Sequence, residues 1–408
     1  MAMKQTQTKL FDFSDIGLDF SAGSKNLFPD RFKKMLVLGY NAQTVSSVAV
    51  SGNQVTFSYG GAHGYVADRV LKVDSGTLAS INSGEFWIDS VTTNTVVFTL
   101  DDAPVSIPSG FTTRVAPLGF ELVYEQPPVQ VYKFKSLKEE DLYLRLCFQS
   151  AAAQRNTVVP CVGWSADLSL GVITDPLTIE ATRGGTVIGA EFKWDFTSDP
   201  SSSHNNYTYS QGYSSFGRGV VVGSKYHLAF LTGLATATGH LINGFLPATV
   251  LDLMGFSGRV PVVTFGVNAG LPNNFYSDLR GKVHYAYIGD QRVNFAGTRY
   301  SAYTFNYGFG SGVNFYPAAI EGFNTSPTEP LLIYENGNSQ FVGVAHGAQT
   351  LKLGTNTVAI PSTLGAQPVE LVEADFGNKC LVHSMAIAAG LSGIAYFVMP
   401  IEEIKSDY

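Results

Sequence analysis

The sequence predicts an all-β protein, and two of its features lead to that prediction. Glycine (42 residues), phenylalanine (28) and tyrosine (20) are abundant among the 408 residues, whereas methionine occurs only 6 times. Aromatic side chains suit a pleated sheet, and glycine supplies the turns between strands. The apolar segments are also short and end in Gly-, Asn- or Ser-rich stretches, a pattern typical of strands. The chain is too long for one ordinary core, so we expect several β domains.

Residues 1–40 are predicted to form an extended N-terminal arm followed by a short helix. The first ten residues, MAMKQTQTKL, are mostly polar and have few side chains that could bury their own backbone. The helix is expected in PDRFKKML, where Pro29 fits the first helical turn. Because chain ends stay ordered only where something holds them, we expect the arm to bind a neighbouring subunit.

Residues 41–110 are predicted to fold as a small β barrel or sandwich module. Strand-like runs follow one another closely from Val45 to Leu100, and short turns separate them. These runs are VSSVAVSG, NQVTFSYG, YVADRVLKV, GEFWIDSV and NTVVFTL. Strands spaced so closely leave no room for intervening helices.

Residues 111–322 are predicted to form a large β-sandwich domain with long loops. The prolines of EQPPVQVYKFKS indicate an edge or a connection, and almost every later segment is strand-like. The segment LPATVLDLMGF, residues 246–256, is the one helix candidate inside this region. Residues 323–408 contain further strand-like segments, which either form a separate β region or complete the large domain.

Charge and cysteine content exclude several classes of partner. The net charge is −7 and no block of Lys and Arg occurs, so we expect no nucleic-acid partner. The N-terminus has no apolar signal-like core and no window approaches about 18 apolar residues, so we expect folding in a cytoplasm and no membrane insertion. The spacing of the cysteines supports neither disulfides nor zinc, and we expect buried free thiols. These are Cys147, Cys161 and Cys380.

His63, in SYGGAHGYVADRVLKV, is the first residue that could suggest chemistry. Gly60, Gly61 and Gly64 surround it, and glycines tolerate the backbone angles that a turn requires. A catalytic histidine needs an orienting acid or a nucleophile, and the spacing identifies neither. The sequence therefore predicts that His63 is a turn residue between two strands, which Asn could replace at little cost.

No catalytic, cofactor-binding or metal-binding residues are predicted elsewhere, and no cofactor is expected. The histidines never occur at the close spacing that metal ligands on one element show. They are His63, His204, His227, His240, His284, His346 and His383. Asp195, Asp290 and Asp375 are candidate acids, but glycoside cleavage needs a facing pair, which the sequence does not select. Phosphate-loop, dinucleotide, zinc-protease and serine-elbow motifs are missing, so we predict a protein that is not an enzyme.

The segment 201–219, SSSHNNYTYSQGYSSFGRG, differs in composition from the rest of the chain. It is polar, rich in aromatic residues and almost uncharged. Tyrosine supplies contact area and Ser, Asn and Gly supply hydrogen bonds at adaptable interfaces. This loop is either a contact surface for a subunit or a glycan, or a surface loop without a partner.

The small module also carries a pattern that is shared with a known class of proteins. A strand ends in a His-Gly turn, and a later Gly precedes a strand that leads into V-T-x-N-T-x-x-F. This pattern, between residues 45 and 100, resembles a small β module of tailed-bacteriophage virion proteins. The matching positions are His63, Gly64, Gly84, Val91, Asn94, Thr95 and Phe98. The resemblance supplies no catalytic residues.

The resemblance implies a non-enzymatic structural component of a bacteriophage virion, in the tail or baseplate. Such a protein is made and assembled in the host cytoplasm, resides in the virion, and acts as a homo-oligomer in contact with other virion proteins. One alternative is a host-surface-binding adhesin or polysaccharide depolymerase, whose partner is a surface glycan. A further alternative is a capsid decoration or head spike protein, which only its position in the particle distinguishes from a tail component.

Overall fold

A computed structural model confirms the all-β class. It describes residues 2–3, 8–21, 27–148, 157–186, 192–196, 208–210, 218–233, 240–266, 283, 285–295, 328–351, 369–371, 380–385 and 395–401. Within these ranges the α-helices are α1 (Phe28–Lys33) and α2 (Glu180–Arg183). No helix in the described ranges has the length and apolar character needed to cross a bilayer.

The short helix predicted near Pro29 is present and continues into a π-helical turn. Helix α1 begins with Pro29 in its first turn, and the π-helical turn spans Lys34–Leu38. Gly39 ends the turn with a φ of 72°, a conformation that a residue without Cβ adopts readily. A Cβ at Gly39 would also lie 2.4 Å from the carbonyl oxygen of Val115.

The small module is built from seven strands among the described residues. They are β3 (Tyr40–Ser51), β4 (Gln54–Tyr59), β5 (Val70–Asp74), β6 (Glu85–Trp87), β7 (Ser90–Val91), β8 (Thr95–Thr99) and β9 (Thr112–Val115). Strand β9 pairs with both β3 and β5. The module therefore extends past residue 110, the boundary expected from the sequence, because its last strand lies beyond the proline-containing connection.

The sheet of the small module closes on itself. Its hydrogen-bonded order is β1-β6-β5-β9-β3-β4-β8-β7, where β1 (Ala2–Met3) comes from the N-terminal arm, and β6 and β7 are consecutive in the chain. Between them, the Ile88 N–H donates to the Arg69 carbonyl and the Asp89 N–H donates to the Val97 carbonyl. The backbone thus passes directly from β6 to β7, between the two sides of a strongly curved sheet, and β1 covers the other edge of β6. Stacked and edge-to-face phenylalanines fill the interior: Phe57, Phe86, Phe98 and Phe111.

A second sheet follows the small module. It contains β10 (Glu121–Gln126), β11 (Val129–Lys135), β12 (Asp141–Phe148), β13 (Thr157–Gly163) and β16 (Trp194–Asp195), with a separate hairpin of β14 (Ala166–Asp167) and β15 (Val172–Ile173). Every second side chain of β12 points to one face, where Leu142, Leu144 and Leu146 are buried. This face joins the main hydrophobic core of the protein.

The remaining strands form one large sheet. They are β2 (Lys9–Asp12), β17 (Arg218–Ser224), β18 (His227–Gly233), β19 (His240–Val250), β20 (Val262–Gly266), β21 (Tyr285–Ile288), β22 (Gln291–Phe295), β23 (Thr328–Glu335), β24 (Phe341–Leu351), β25 (Val369–Leu371), β26 (Cys380–Met385) and β27 (Ala395–Pro400). Strand β24 also pairs with the far end of β19, so β19 to β24 close into a six-stranded ring. Strands from residue 328 onward therefore pair with strands from 218–295.

The second sheet and the large sheet pack face to face as a sandwich. The rings of Phe134 and Phe245 lie 4.8 Å apart between their centroids. The buried indole N–H of Trp194 donates to the carbonyl of Phe265 across the two layers at 2.9 Å. A buried indole requires such an acceptor, and this one lies on a strand of the opposite sheet.

The prediction of a helix at residues 246–256 is wrong. Strand β19 continues to Val250, and only a 3-10 turn at Met254–Phe256 is helical. In β19, Leu246 pairs with Val263 of β20, and Ala248 pairs with Ala345 of β24. Hydrogen bonds to strands on both sides outweigh the local preference of this segment.

Candidate functional site

The N-terminal arm is described at residues 2–3 and 8–21, and both parts pair with strands of the same chain: residues 2–3 with β6 and residues 9–12 with β17. Strand β2 is the edge strand of the large sheet, and every residue from Thr8 to Phe13 is buried. The premise that the arm cannot bury its own backbone is therefore wrong for these residues. Leu10 enters the core of the large sheet, whereas Phe11 enters the main core, so two cores cover the strand. Binding of the arm to a neighbouring subunit stays a prediction.

Strand β2 adds to the sheet by antiparallel pairing with β17. Leu10 faces Val222 in this register, and the pairing extends from Lys9 to Asp12. The Phe13 N–H then donates to the Gly219 carbonyl at 2.9 Å. A Cβ at Gly219 would lie 2.2 Å from the Phe13 ring, so the close approach of the arm depends on glycine at this position.

A buried ion pair connects the arm to the small module. The Lys9 ammonium lies 2.7 Å from the Glu85 carboxylate, and both side chains are at most 3% exposed. Lys9 also donates to the carbonyl of Pro117 at 2.5 Å. Burial lowers the pKa of Lys9, and the charge of Glu85 acts in the opposite direction. Removing one partner of such a pair costs about 3–5 kcal/mol, because the other charge stays buried.

A second buried ion pair lies six residues further along the arm. Asp15 accepts two hydrogen bonds from Arg69, at 2.8 and 3.1 Å, and a third from the Tyr40 hydroxyl at 2.8 Å. Burial opposes the charged guanidinium, but the adjacent Asp15 carboxylate raises the pKa of Arg69 above its ordinary value. Burial, reinforced by the same carboxylate, raises the pKa of Tyr40. The bidentate geometry fixes the orientation of both side chains.

We call the surface that receives the arm the arm-binding site. It consists of β17 with the side chains of Tyr40, Arg69 and Glu85. Sequence reasoning did not select these residues. The sequence feature that could have indicated them is a charged residue inside an apolar segment, as in KLFDF for Lys9 and GEFW for Glu85. Opposite charges within apolar strands indicate burial in a pair, but they do not identify the partner.

Five residues of the loop 201–219 are described: 208–210, and Arg218 and Gly219 at the start of β17. Residues 208–210 contact the arm of the same chain. Ser21 and Thr208 form an isolated β-bridge, and the Tyr209 N–H donates to the Phe20 carbonyl at 3.2 Å. The Tyr209 ring is buried against Phe13 and Phe20, with centroids 5.2 Å from each. Residues 201–207, including His204, and 211–217 lie outside the described residues.

His63 lies between β4 and β5, in the connection that the sequence predicted. Its ring is 2% exposed, and both nitrogens are hydrogen-bonded. The Tyr65 N–H donates to Nδ1 at 2.9 Å, so Nε2 carries the proton and donates to the Thr95 carbonyl at 3.1 Å. His63 therefore connects its loop to β8. The expectation that Asn replaces it at little cost does not follow from this geometry, because a shorter side chain cannot make both bonds.

Four of the positions that carry the phage resemblance lie around the same loop: His63, Gly64, Asn94 and Thr95. The backbone N–H of His63 donates to the carbonyl of Thr93. The next residue, Asn94, accepts a hydrogen bond at its carbonyl from the backbone N–H of Tyr59, at 2.8 Å. Gly64 has a φ of 69°, and a Cβ there would lie 2.2 Å from Ile16 of the arm. The arm thus rests directly on the glycine of the His-Gly turn.

The other candidate acids and His346 are placed separately wherever the structure describes them. Asp290 pairs with Arg259 at 2.7 Å. Asp195 lies in β16, its side chain is not described, and Asp375 lies outside the described residues. His346 lies 2.7 Å from the Thr249 hydroxyl, which is a position typical of a structural histidine.

The remaining histidines and the cysteines are also placed. His227 lies 2.8 Å from Ser224, and His383 lies 3.1 Å from the Leu241 carbonyl. His240 lies in β19 with its side chain undescribed, and His284 lies outside the described residues. The cysteines Cys147, Cys161 and Cys380 are buried free thiols, as predicted. Burial raises the pKa of the Cys161 thiol, which disfavours the reactive thiolate.

The contacts of the arm-binding site are backbone pairing, two buried ion pairs and packed side chains. Within the ranges that the structure describes, no group of three or more His, Cys, Asp or Glu side chains is placed to bind a metal ion. No family model matches this chain, and neither a curated protein nor a solved structure similar to it is found. Its function is therefore inferred from the geometry of the chain itself.

Proposed function

We propose that this chain is a non-enzymatic structural component of a bacteriophage virion, in the tail or baseplate. It acts as a homo-oligomer through contacts with its own copies and with other virion proteins. The observation that carries the proposal is the arm-binding site, where one strand connects the small module to the large sheet. A particle subunit has to keep its parts at a constant spacing, and this site supplies such a connection.

Two contact sets meet in the arm and support a rigid subunit. The backbone of β2 belongs to the large sheet, whereas Lys9 and Asp15 pair with Glu85 and Arg69 of the small module. A movement of the small module relative to the sheet would separate both buried ion pairs. Separation of buried charges is strongly unfavourable, so the two parts are expected to move as one body.

The local geometry of the small module supports the phage assignment. The resemblance depends on turn residues, and the structure gives these residues specific contacts. His63 donates to Thr95, Asn94 accepts from Tyr59, and Phe98 stacks on Phe86 with ring centroids 4.6 Å apart. The shared pattern therefore corresponds to one packed unit of the fold.

The experiment that tests the proposal places the chain in the particle. An antibody against the purified chain is used to label particles from a lysate of the encoding host, with pre-immune antibody as the control. Electron microscopy is expected to show label at the tail or baseplate. Label on the capsid would favour a decoration or head spike protein instead, and particles without label would contradict a virion role.

A separate assay tests the non-enzymatic part of the proposal. The purified chain is incubated with capsular polysaccharide from the host, and newly formed reducing ends are measured. We expect no increase over a heat-denatured sample of the same chain. Release of oligosaccharides would contradict the proposal and favour a depolymerase.

A further inference from the structure

The arm-binding site is built from residues that are distant from the arm in the sequence. Strand β17 begins more than two hundred residues after β2, and Glu85 and Arg69 belong to the small module. None of these groups depends on the covalent connection between arm and helix α1. The site can therefore receive a matching segment from any chain that carries one.

The site recognises a specific sequence pattern. The edge of β17 binds the backbone of an added strand, which is the general mode of strand addition. Glu85 then selects a cation at the position of Lys9, and Arg69 selects a carboxylate at the position of Asp15. Between them, alternate residues enter two different cores, as Leu10 and Phe11 do. The segment KLFDFSD of this chain meets all of these requirements.

An empty arm-binding site is unfavourable for two reasons. With the arm in place, Glu85 is 3% exposed and Arg69 is 8% exposed, and departure of the arm removes the opposite charge from each of them. The edge of β17 would also present unpaired backbone groups. A copy whose own arm has left the site would therefore bind another segment with the same charges.

The arm forms a turn at Gly17. Residues 9–12 pair with β17 and Asp15 pairs with Arg69, whereas Leu18 and Asp19 bond to helix α1. The N–H groups of Leu18 and Asp19 also donate to the Asp15 carbonyl across Gly17. Arg31 donates to the carbonyls of Leu18 and Asp19, both at 2.7 Å. Gly17 itself has a φ of 96°, where glycine is the favoured residue.

We propose that the arm-binding site also accepts the arm of a second copy of this chain, so that copies are linked by exchange of β2. Each exchanged arm makes the contacts that it makes within one chain, because the segment and the site are the same in every copy. The inference goes beyond the proposed function and does not require a position in a virion. Its partner is identified by charge complementarity between Lys9 and Asp15 of the arm and Glu85 and Arg69 of the site.

Exchange is tested by disulfide trapping between full-length chains. One chain carries Leu10→Cys and the other carries Val222→Cys, positions that face each other in β2 and β17. The two are mixed at high concentration, incubated, oxidised and separated on a non-reducing gel. We expect a covalent dimer, with a linked peptide pair that mass spectrometry identifies. The double variant in one chain reports whether the intrachain pairing forms and confirms that these positions can be joined.

Two controls decide whether a dimer reflects the proposed contact. Val220→Cys lies on the same strand but two residues out of register with Leu10, so it is expected to lose the dimer. Adding Lys9→Glu to the arm should also abolish the dimer, and Glu85→Lys in the receiving chain should restore it. The wild-type chain, whose described cysteines are buried, measures background.

Specific outcomes would overturn the proposal. If the double variant forms its intrachain disulfide but the mixture gives no dimer, the arm does not exchange. If the dimer persists with Val220→Cys or with Lys9→Glu alone, it results from non-specific contact. These measurements use the purified chain, so failure of exchange leaves the labelling of particles unaffected, and the reverse also holds.

Discussion

His227 should make the stability of this protein strongly dependent on pH. The side chain is fully buried at the start of β18, with Nδ1 2.8 Å from the Ser224 hydroxyl. Its Nε2 has no hydrogen-bond partner among the described residues. Burial without a compensating charge lowers the pKa of His227 from 6.5 to about 3. The folded protein therefore keeps the imidazole neutral at pH values where the unfolded chain is protonated.

The size of the effect follows from the two pKa values. Because the folded pKa is depressed, the contribution to stability is complete above pH 6.5 and is lost as the pH falls toward the folded value. In that window each pH unit removes about 1.4 kcal/mol of the free energy of unfolding. From about pH 7 to about pH 4, His227 alone should remove about 3 kcal/mol.

The assay is urea unfolding of the wild type and of His227→Leu at both pH values. We expect His227→Leu to be about as stable as the wild type at neutral pH, since the lost imidazole has an unpaired nitrogen. Between the two pH values, the free energy of unfolding should fall by about 3 kcal/mol less in the variant than in the wild type, and we call this fall the acid loss. Ser224→Ala is the matched control: it should lower stability at both pH values by about 1–2 kcal/mol and keep the acid loss. An acid loss in His227→Leu equal to that of the wild type would refute the reasoning.

Three further substitutions test the small module and its contact with the arm, each by urea unfolding. Gly64→Val should lower the free energy of unfolding by about 1–3 kcal/mol, because its φ of 69° is strained for a β-branched residue and the Ile16 side chain has to move. The control is Gly61→Val, where nothing lies within 4 Å of the added Cβ, and a loss of the same size in this control would contradict the reasoning. Arg69→Met should cost about 3–5 kcal/mol by leaving Asp15 unpaired, and adding Asp15→Asn should recover part of the loss. If Asp15→Asn recovers none of the stability lost in Arg69→Met, the loss does not come from the Asp15–Arg69 ion pair. His63→Asn should cost about 1–3 kcal/mol, and a cost near zero would support a simple turn role.

The strand content could be predicted from the sequence because its causes are local. Glycine and aromatic content, together with short alternating segments, determine the all-β class without knowledge of any partner strand. The turn at His63 and Gly64 was predicted for the same reason, since the glycine requirement arises within a few residues. The burial of the three cysteines also follows from residue type and spacing.

What the sequence could not determine depends on residues that are far apart in the chain. The segment 246–256 has a local pattern that fits a helix, but β20 and β24 supply the hydrogen bonds that make most of it a strand. The arm looked unable to bury itself, yet β17 receives its backbone more than two hundred residues later.

The arm-binding site belongs wholly to the tertiary structure. In the sequence, Lys9 and Glu85 are charged residues within apolar segments, and Asp15 lies between Asp12 and Asp19. Only the fold decided that Lys9 meets Glu85 and that Asp15 meets Arg69. The physical reason is that a charge can be buried beside any suitable opposite charge, and which one it meets is decided by the packing of the small module against the large sheet.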